Sequence, residues 1–196
     1  MEVAVAFSGG KDSGLTALLL EPFYDVTLVC ATAGVTDAVD DAREAADALG
    51  LPFEAVELDE GVFRDAADRM VEDGFPRHGI QAVHDHALEV IAGLDYDAVA
   101  DGTRRDDRVP TVSRASAQSL EDRHGVDYLA PLTGFGRGAV DRLVEASLDV
   151  ESGPSESIPK GDYETELRAI IAAEYGADAV TEVFPEHTQT RVRGRR

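Results

Sequence analysis

The sequence predicts a doubly wound parallel α/β sheet of about five strands, completed by a short C-terminal helical segment. Short, continuously apolar runs alternate with helical patterns up to about residue 147, as they do in a parallel sheet covered on both faces. A glycine-rich polar stretch also separates the first apolar run from the first helical pattern, at a position where such sheets bind ligands.

Five short apolar runs predict the five strands. Each has too few residues for a typical helix and lacks a regularly spaced polar face, so we expect each to be buried on both sides. In chain order they are residues 3–7, 25–32, 53–58, 98–102 and 126–130.

Helical patterns fill the intervals between these runs. The clearest spans residues 36–49, where apolar residues recur every three or four positions, Thr36 is a suitable N-cap and Gly50 is a suitable stop. In chain order the predicted helices are residues 14–20, 36–49, 61–71, 80–93, 113–124 and 138–147.

The composition changes at residue 148. We therefore divide the chain into a domain of residues 1–147 and a C-terminal segment of residues 148–196 that packs on the site. The segment begins with a Ser-, Gly- and Pro-rich stretch that predicts a loop, followed by a helix over residues 163–175. It ends in a basic tail, for which RNA contact and a disordered solubilising end are the two interpretations. The basic residues of this tail are Arg191, Arg193, Arg195 and Arg196.

Acidic residues outnumber basic ones along the whole chain. Asp and Glu total 39 against 18 Lys and Arg, which gives a net charge of −21. Dispersed acid with almost no lysine is typical of proteins from salt-adapted archaea, so we expect a haloarchaeal source, in which salt screens the self-repulsion. An acidic mesophilic protein is the alternative. In neither case does the net charge identify the partners.

Other features narrow the class of protein. The first residues lead directly into a strand and no long uncharged apolar run occurs, so we expect a cytoplasmic protein without membrane contact. Cys30 is the single cysteine, which excludes an internal disulfide and favours a small buried strand residue. The five histidines are scattered and predict no metal site.

Residues 8–13 read SGGKDS and follow the first predicted strand. Gly9 and Gly10 let the backbone approach an anion, and the N–H groups of the following helix favour negative charge. The stretch is not a Walker A loop, because Asp12 follows Lys11, one of only two lysines in the chain. An aspartate in a phosphate cradle requires a cation between the charges, so Asp12 is a predicted Mg²⁺ ligand. A plain capped turn is the alternative, but it does not account for all these residues together.

This hexapeptide resembles the pyrophosphate-binding loop of the N-type ATP pyrophosphatases, the PP-loop or adenine nucleotide alpha hydrolase-like proteins, whose fold is Rossmann-like and HUP-type. The resemblance implies ATP and Mg²⁺ as cofactors, with Lys11 and Asp12 as catalytic residues. It further implies that a substrate oxygen is adenylated, that pyrophosphate leaves, and that a nitrogen or sulfur nucleophile then displaces AMP. The residues expected to hold pyrophosphate are Ser8, Gly9, Gly10, Lys11, Asp12 and Ser13.

The same resemblance implies further site residues. In such a fold the end of the second strand borders adenine, the loop after the fourth strand faces the phosphates and a second Mg²⁺, and a late lysine closes over pyrophosphate as a catalytic residue. The adenine border is Ala31, Thr32 and Ala33. The loop facing the phosphates contains Gly102, Thr103 and Arg104, with Asp106 and Asp107 as the metal ligands. The late lysine is Lys160. A solvated charged loop and an exposed loop lysine are the alternatives.

The predicted function is therefore an ATP-dependent ligase or transferase that forms AMP and pyrophosphate. Its second substrate is open between a tRNA base and a small amide- or carboxyl-bearing metabolite, and ammonia or sulfur would arrive free or from a partner protein. A homo-oligomer is a further hypothesis. Two other functions are alternatives to this ligase or transferase. One is a nucleotide-binding regulator of the universal-stress-protein type, although the later glycine-rich loop of such proteins is missing here. The other is the ATPase subunit of a larger synthetase complex.

Overall fold

A five-stranded parallel sheet runs through the centre of the protein. The computed structural model describes all 196 residues. The sheet has the spatial order β3-β2-β1-β4-β5. Because the chain winds outwards from β1 first in one direction and then in the other, a crevice opens at the carboxyl ends of the strands beside β1. The strands are β1 Glu2–Ala6, β2 Asp25–Thr32, β3 Phe53–Glu57, β4 Ala98–Ala100 and β5 Asp127–Leu129.

Eight α-helices accompany the sheet, and they confirm the predicted α/β fold class. The first begins at Lys11 rather than at residue 14, so the last three residues of the SGGKDS stretch form its first turn. No helix combines the length and the apolar character that a membrane crossing requires. The helices are α1 Lys11–Leu20, α2 Ala38–Leu49, α3 Glu60–Asp73, α4 Arg77–Ala92, α5 Arg114–His124, α6 Arg137–Ser147, α7 Tyr163–Tyr175 and α8 Ala177–Val183.

The two faces of the sheet carry separate apolar cores. Successive residues of β1 point to opposite faces, so Val3 and Val5 belong to one core and Ala4 to the other. The first core packs α1, α2 and α6 against the sheet, and the second packs α3, α4 and α7. Both cores take residues from beyond position 147, for example Val192 in the first and Leu167 in the second. The C-terminal segment is thus built into the same body.

The prediction of a loop at the start of the C-terminal segment is wrong for its first residues, whereas residues 158–162 do lie outside any helix or strand. Residues Leu148–Pro154 form strand β6, which pairs antiparallel with β7, Thr188–Arg195. The partner strand lies about 40 residues further along the chain, so no local pattern of hydrophobic residues announces the ribbon. Serine, glycine and proline are tolerated in β6 because this ribbon has only two strands, and each strand has a free edge.

The basic C-terminus is not a free tail. It forms β7, and its arginines are paired within the protein, which corrects both the RNA-contact and the disordered-end interpretations. Arg191 is only 3% exposed and donates to Asp41 at 2.9 Å. Arg193 pairs with Glu151, and Arg195 pairs with Glu21. Because their charges are already compensated, these side chains are poor candidates for phosphate contacts.

Candidate functional site

A large cavity lies at the carboxyl ends of the strands, beside β1. Its volume is about 650 Å³, within the usual range for small-molecule sites. Three parts of the chain line it: the first loop (residues 8–13), the second loop (residues 101–113, between β4 and α5) and the C-terminal segment. The N-terminal ends of α1, α6 and α7 also border it. Helix N-termini carry partial positive charge, so the cavity favours an anionic ligand.

The first loop is shaped by glycine and braced by β7. Gly9 has φ +83°, a conformation that side-chain-bearing residues rarely adopt. The Val192 N–H donates to the Gly9 carbonyl at 2.8 Å, and the Lys11 N–H donates to Thr190 Oγ1 at 3.3 Å. Gly10 is the N-cap of α1 and provides no side chain for its first turn. The helix N-terminus therefore opens onto the cavity.

Two cations surround the carboxylate of the first loop. Lys11 Nζ lies 2.7 Å from Asp12 Oδ1, and Arg104 Nη1 lies 3.7 Å from the same oxygen. The Asp12 side chain is 34% exposed and lines the cavity. No group of three or more His, Cys, Asp or Glu side chains could hold a metal by itself. Mg²⁺ at nucleotides is bound by one or two carboxylates together with phosphate oxygens, so Asp12 fits that requirement.

The second loop packs directly on the first. A Cβ at Gly102 would stand 2.7 Å from the Ser13 nitrogen, so only glycine allows this approach of backbone to backbone. Thr103, Arg104 and Asp107 line the cavity, but Asp106 does not. Asp106 instead pairs with Arg104 at 2.9 Å. The two predicted metal ligands of this loop therefore differ, because only Asp107 is placed to meet a ligand.

The pKa values of Asp106 and Asp107 also differ, because Asp107 is the more buried of the two. Burial raises the pKa of Asp107, although its carboxylate accepts a 2.7 Å hydrogen bond from the Arg104 N–H. The hydrogen bond from the Arg104 side chain lowers the pKa of the exposed Asp106 carboxyl. Arg104 thus holds three carboxylates, those of Asp12, Asp106 and Asp107, around one guanidinium.

A buried histidine–aspartate pair forms the floor of the cavity, and the sequence did not single out its histidine. His84 Nε2 lies 3.0 Å from Asp101 Oδ2, and the Tyr128 hydroxyl donates to the same oxygen at 2.9 Å. Thr103 donates to the other oxygen through its N–H and its hydroxyl. Burial alone would raise the pKa of Asp101, but the bonds from His84 and Thr103 outweigh it and lower the pKa.

The free nitrogen of this pair is available to a ligand. His84 is 4% exposed and lines the cavity, and its Nδ1 makes no hydrogen bond within the protein. Asp101 follows the buried strand β4 directly, and a buried carboxylate requires a partner. This position was the one sequence signal that a partner such as His84 exists. The sequence could not say which of five histidines supplies it.

The second lysine reaches the site from the C-terminal segment. Lys160 lines the cavity and pairs with Asp162 at 2.9 Å. The Gly161 N–H donates to the Ser8 carbonyl at 3.0 Å, which joins this segment to the first loop. Asp162 is also the N-cap of α7, accepting from the Thr165 N–H. Burial would raise the pKa of Asp162, but Lys160 and Thr165 together lower it.

Similarity to known proteins extends over nearly the whole chain. A family model described as a family of unknown function, DUF7411, matches residues 1–194. The chain belongs to this DUF7411 family. It is 40% identical over 195 residues to the uncharacterized protein MJ0690 of Methanocaldococcus jannaschii, covering 99% of this chain and 96% of that protein.

A solved structure resembles the DUF7411 chain at the same sequence identity as MJ0690 does. It is a crystal structure from Methanocaldococcus jannaschii described as a "predicted subunit of tRNA methyltransferase". The TM-score is 0.90 at 40% identity, and the match covers 100% of this chain and 98% of that one. The sheet, the helices and the C-terminal ribbon therefore belong to one shared fold.

The end of β2 differs from the expected adenine border. In the DUF7411 chain only Ala31 of the three predicted residues lines the cavity. Thr32 Oγ1 donates to Glu166 Oε1 at 2.8 Å, and the Ala33 N–H donates to Glu166 Oε2 at 3.1 Å. Glu166 belongs to α7 and is 2% exposed. Its buried carboxylate therefore occupies the hydrogen-bond donors of two residues that were predicted to border adenine.

Cys30 is a structural residue of the DUF7411 fold. It lies in β2, is 1% exposed, and its thiol is 3.5 Å from the Gly161 carbonyl. Burial raises the pKa of the Cys30 thiol to about 12. A thiol must ionise to attack or to carry sulfur, so this position does not suit a sulfur acceptor.

Proposed function

We propose that the protein is an ATP pyrophosphatase that adenylates a substrate oxygen and releases pyrophosphate. The observation that carries this proposal is the first loop itself. The positive-φ Gly9 forms the turn into an uncapped helix N-terminus, and Gly10, a lysine and a metal-competent aspartate line one cavity at the switch point of the sheet. This set of groups suits a metal-bound pyrophosphate better than it suits a plain turn.

The first loop and Lys160 each have a role in this reaction. The Gly10 backbone and the first turn of α1 would receive the β- and γ-phosphates, and Lys11 would offset their charge, whereas Gly9 lies behind the cavity and shapes the turn. Asp12 would hold Mg²⁺, which would withdraw charge from the phosphate oxygens. Lys160 reaches the same cavity from the C-terminal segment. These assignments rest on the geometry and on the motif.

The reaction balances as two displacements at phosphorus and carbon. An oxygen of the second substrate attacks the α-phosphate, the bond to the β-phosphate breaks, and pyrophosphate departs. A nitrogen or sulfur nucleophile then attacks the activated carbon and AMP leaves with the oxygen. His84 presents Nδ1 to the cavity while Asp101 fixes its Nε2, so it can accept the proton that the nucleophile gives up.

The second substrate that we propose is a tRNA base. The support is the similar structure described as a predicted subunit of tRNA methyltransferase. The word "subunit" in that description also favours a second candidate, in which the chain is the nucleotide-hydrolysing component of a larger tRNA-modifying complex. Both candidates use the same cavity and the same nucleotide chemistry, and they differ in whether the isolated chain turns over.

Product analysis tests the proposal. The protein is incubated with Mg²⁺ and ATP in KCl, with bulk tRNA and with small carboxyl or amide substrates, and AMP, ADP and pyrophosphate are quantified. We expect AMP and pyrophosphate in equal amounts, and we expect Asp12→Ala to abolish them. Asp40→Ala removes an exposed carboxylate from α2 and is the matched control.

The outcomes separate the hypotheses. ADP as the product contradicts the proposal, as does full turnover by Asp12→Ala. Nucleotide binding without turnover by the isolated chain, followed by turnover on addition of a cell fraction, supports the subunit candidate. Binding without turnover in every mixture supports a regulatory nucleotide-binding protein instead.

A further inference from the structure

Most arginines of this protein are already engaged. Two of the 18 Lys and Arg residues are lysines, which leaves 16 arginines. Ten of these contact an acidic side chain or a backbone carbonyl. The remaining six have no such partner, although the chain contains 39 acidic residues. They are Arg77, Arg105, Arg108, Arg114, Arg137 and Arg142.

Three of the six lie on elements that border the cavity. Arg105 and Arg108 belong to the second loop, and Arg137 is the first residue of α6. Arg137 lines the cavity, as do Asp107 and Val109 on either side of Arg108. The Arg105 guanidinium would be 3.5 Å from a Cβ at Gly136, next to Arg137. The Arg105 side chain therefore lies next to the start of α6 beside the cavity, and Arg108 belongs to the same loop between two lining residues.

An exposed phenylalanine belongs to the same stretch of chain as Arg137. Phe135 is 36% exposed, and it directly precedes Gly136 and Arg137. We call Arg105, Arg108, Phe135 and Arg137 the mouth surface. A phenylalanine in water next to guanidinium groups is the combination that unpaired nucleobases recognise, because a base stacks on the ring while arginines bind the adjoining phosphates.

The charge balance favours RNA over an acidic protein as the partner. At physiological ionic strength fields are screened within about 8 Å, so the local arginines decide the contact rather than the net charge of −21. An acidic protein would satisfy the arginines but would not explain the exposed ring. A single-stranded or looped RNA satisfies both, since it has phosphates and unstacked bases.

We propose that the mouth surface binds the backbone of an unpaired RNA segment, with Phe135 stacking one base, and directs a neighbouring nucleotide into the cavity. This inference rests on the proposed function, since it assigns the surface that receives the RNA substrate. It also moves the RNA contact from the C-terminal arginines, which are paired, to the second loop and the start of α6.

Binding to bulk tRNA without ATP tests the inference. Filter binding is measured over a series of KCl concentrations at which circular dichroism shows the chain to be folded. The test variant is the triple substitution Arg105→Gln, Arg108→Gln and Arg137→Gln. The control is the triple substitution Arg69→Gln, Arg123→Gln and Arg193→Gln, which removes equal charge from arginines that are exposed but paired.

The mouth triple should reduce the slope of log affinity against log salt by about 2, because each phosphate contact on a single strand contributes about 0.7. The control triple should leave the slope unchanged. Phe135→Ala should weaken tRNA binding about tenfold by loss of stacking, whereas Phe23→Ala, an exposed phenylalanine before β2, should not.

Other results would overturn the inference. Equal slopes for both triples do so, and so does a wild-type chain that binds no tRNA while forming AMP and pyrophosphate with a small substrate. The latter result would leave the pyrophosphatase proposal standing. Conversely, tRNA binding that depends on the mouth surface, combined with ADP as the nucleotide product, would contradict the proposed reaction alone.

Discussion

Replacing Gly102 by alanine tests whether the packing of the two loops creates the site. The added Cβ would lie 2.7 Å from the Ser13 nitrogen, 2.9 Å from the Asp12 carbonyl carbon and 3.0 Å from the Ser13 Cα. All three atoms belong to the backbone at the start of α1, so no side chain can rotate away. Ordinary contact begins at 3.4 Å, and the two loops must therefore separate by about 0.7 Å, the difference from 2.7 Å.

Two magnitudes follow from this displacement. Overpacking of a well-packed region costs about 1–3 kcal/mol of unfolding free energy. A misplacement approaching 1 Å in a reacting geometry reduces the rate up to about 100-fold. Because Asp12 and Ser13 move with the loop, we expect turnover to AMP and pyrophosphate to fall more than global stability does.

Urea unfolding and product formation measure the two effects separately. Gly138→Ala is the matched control, because nothing lies within 4 Å of a Cβ there and the residue is inside α6. That control should equal or slightly exceed the wild type in stability. If Gly102→Ala unfolds at the same urea concentration as Gly138→Ala and keeps full turnover, close packing of the loops is not a requirement of the site.

Two further predictions concern buried titratable groups. The pKa of Asp101 is lowered in the folded state. Its ionised form therefore stabilises the protein above the unfolded carboxyl pKa of about 3.9. That stabilisation is lost as the pH falls through the pKa of the folded state. Asp101→Asn should thus be less stable than the wild type at neutral pH, with a difference that shrinks in acid; urea unfolding across a pH series checks this, and a difference independent of pH contradicts it. Cys30, with its pKa raised to about 12, should react with Ellman's reagent only as fast as the protein opens, and one thiol should appear at once in urea; rapid labelling of the native chain would disprove the buried-thiol interpretation.

Local patterns predicted those features whose causes lie within a few residues. The apolar runs located all five strands of the sheet, since burial on both faces removes the polar positions from each strand. The helix predicted over residues 163–175 is α7, Tyr163–Tyr175. The first loop was recognised because all its members are contiguous.

Predictions about the C-terminal segment were less accurate. Strand β6 was predicted as a loop and β7 as a tail, because the two strands stabilise each other across more than thirty residues and neither has a strong pattern alone. Arg191 appeared to be a free cation, although its charge is compensated by Asp41 and Glu44 of α2. Charge pairing between distant elements cannot be read from a run of arginines.

The sequence by itself determined the fold class, the order of the elements and the position of a glycine-containing polar loop at the first strand–helix junction. These properties depend on hydrophobic periodicity and on contiguous residue types. Only the tertiary structure decided which distant groups pair in and around the cavity: His84 with Asp101 and Thr190 with Lys11 at the cavity, and Glu166 with Thr32 behind it. Their separations are 17, 179 and 134 positions. Such pairs form because helices and strands stack in particular places, and that stacking is a property of the whole packed core.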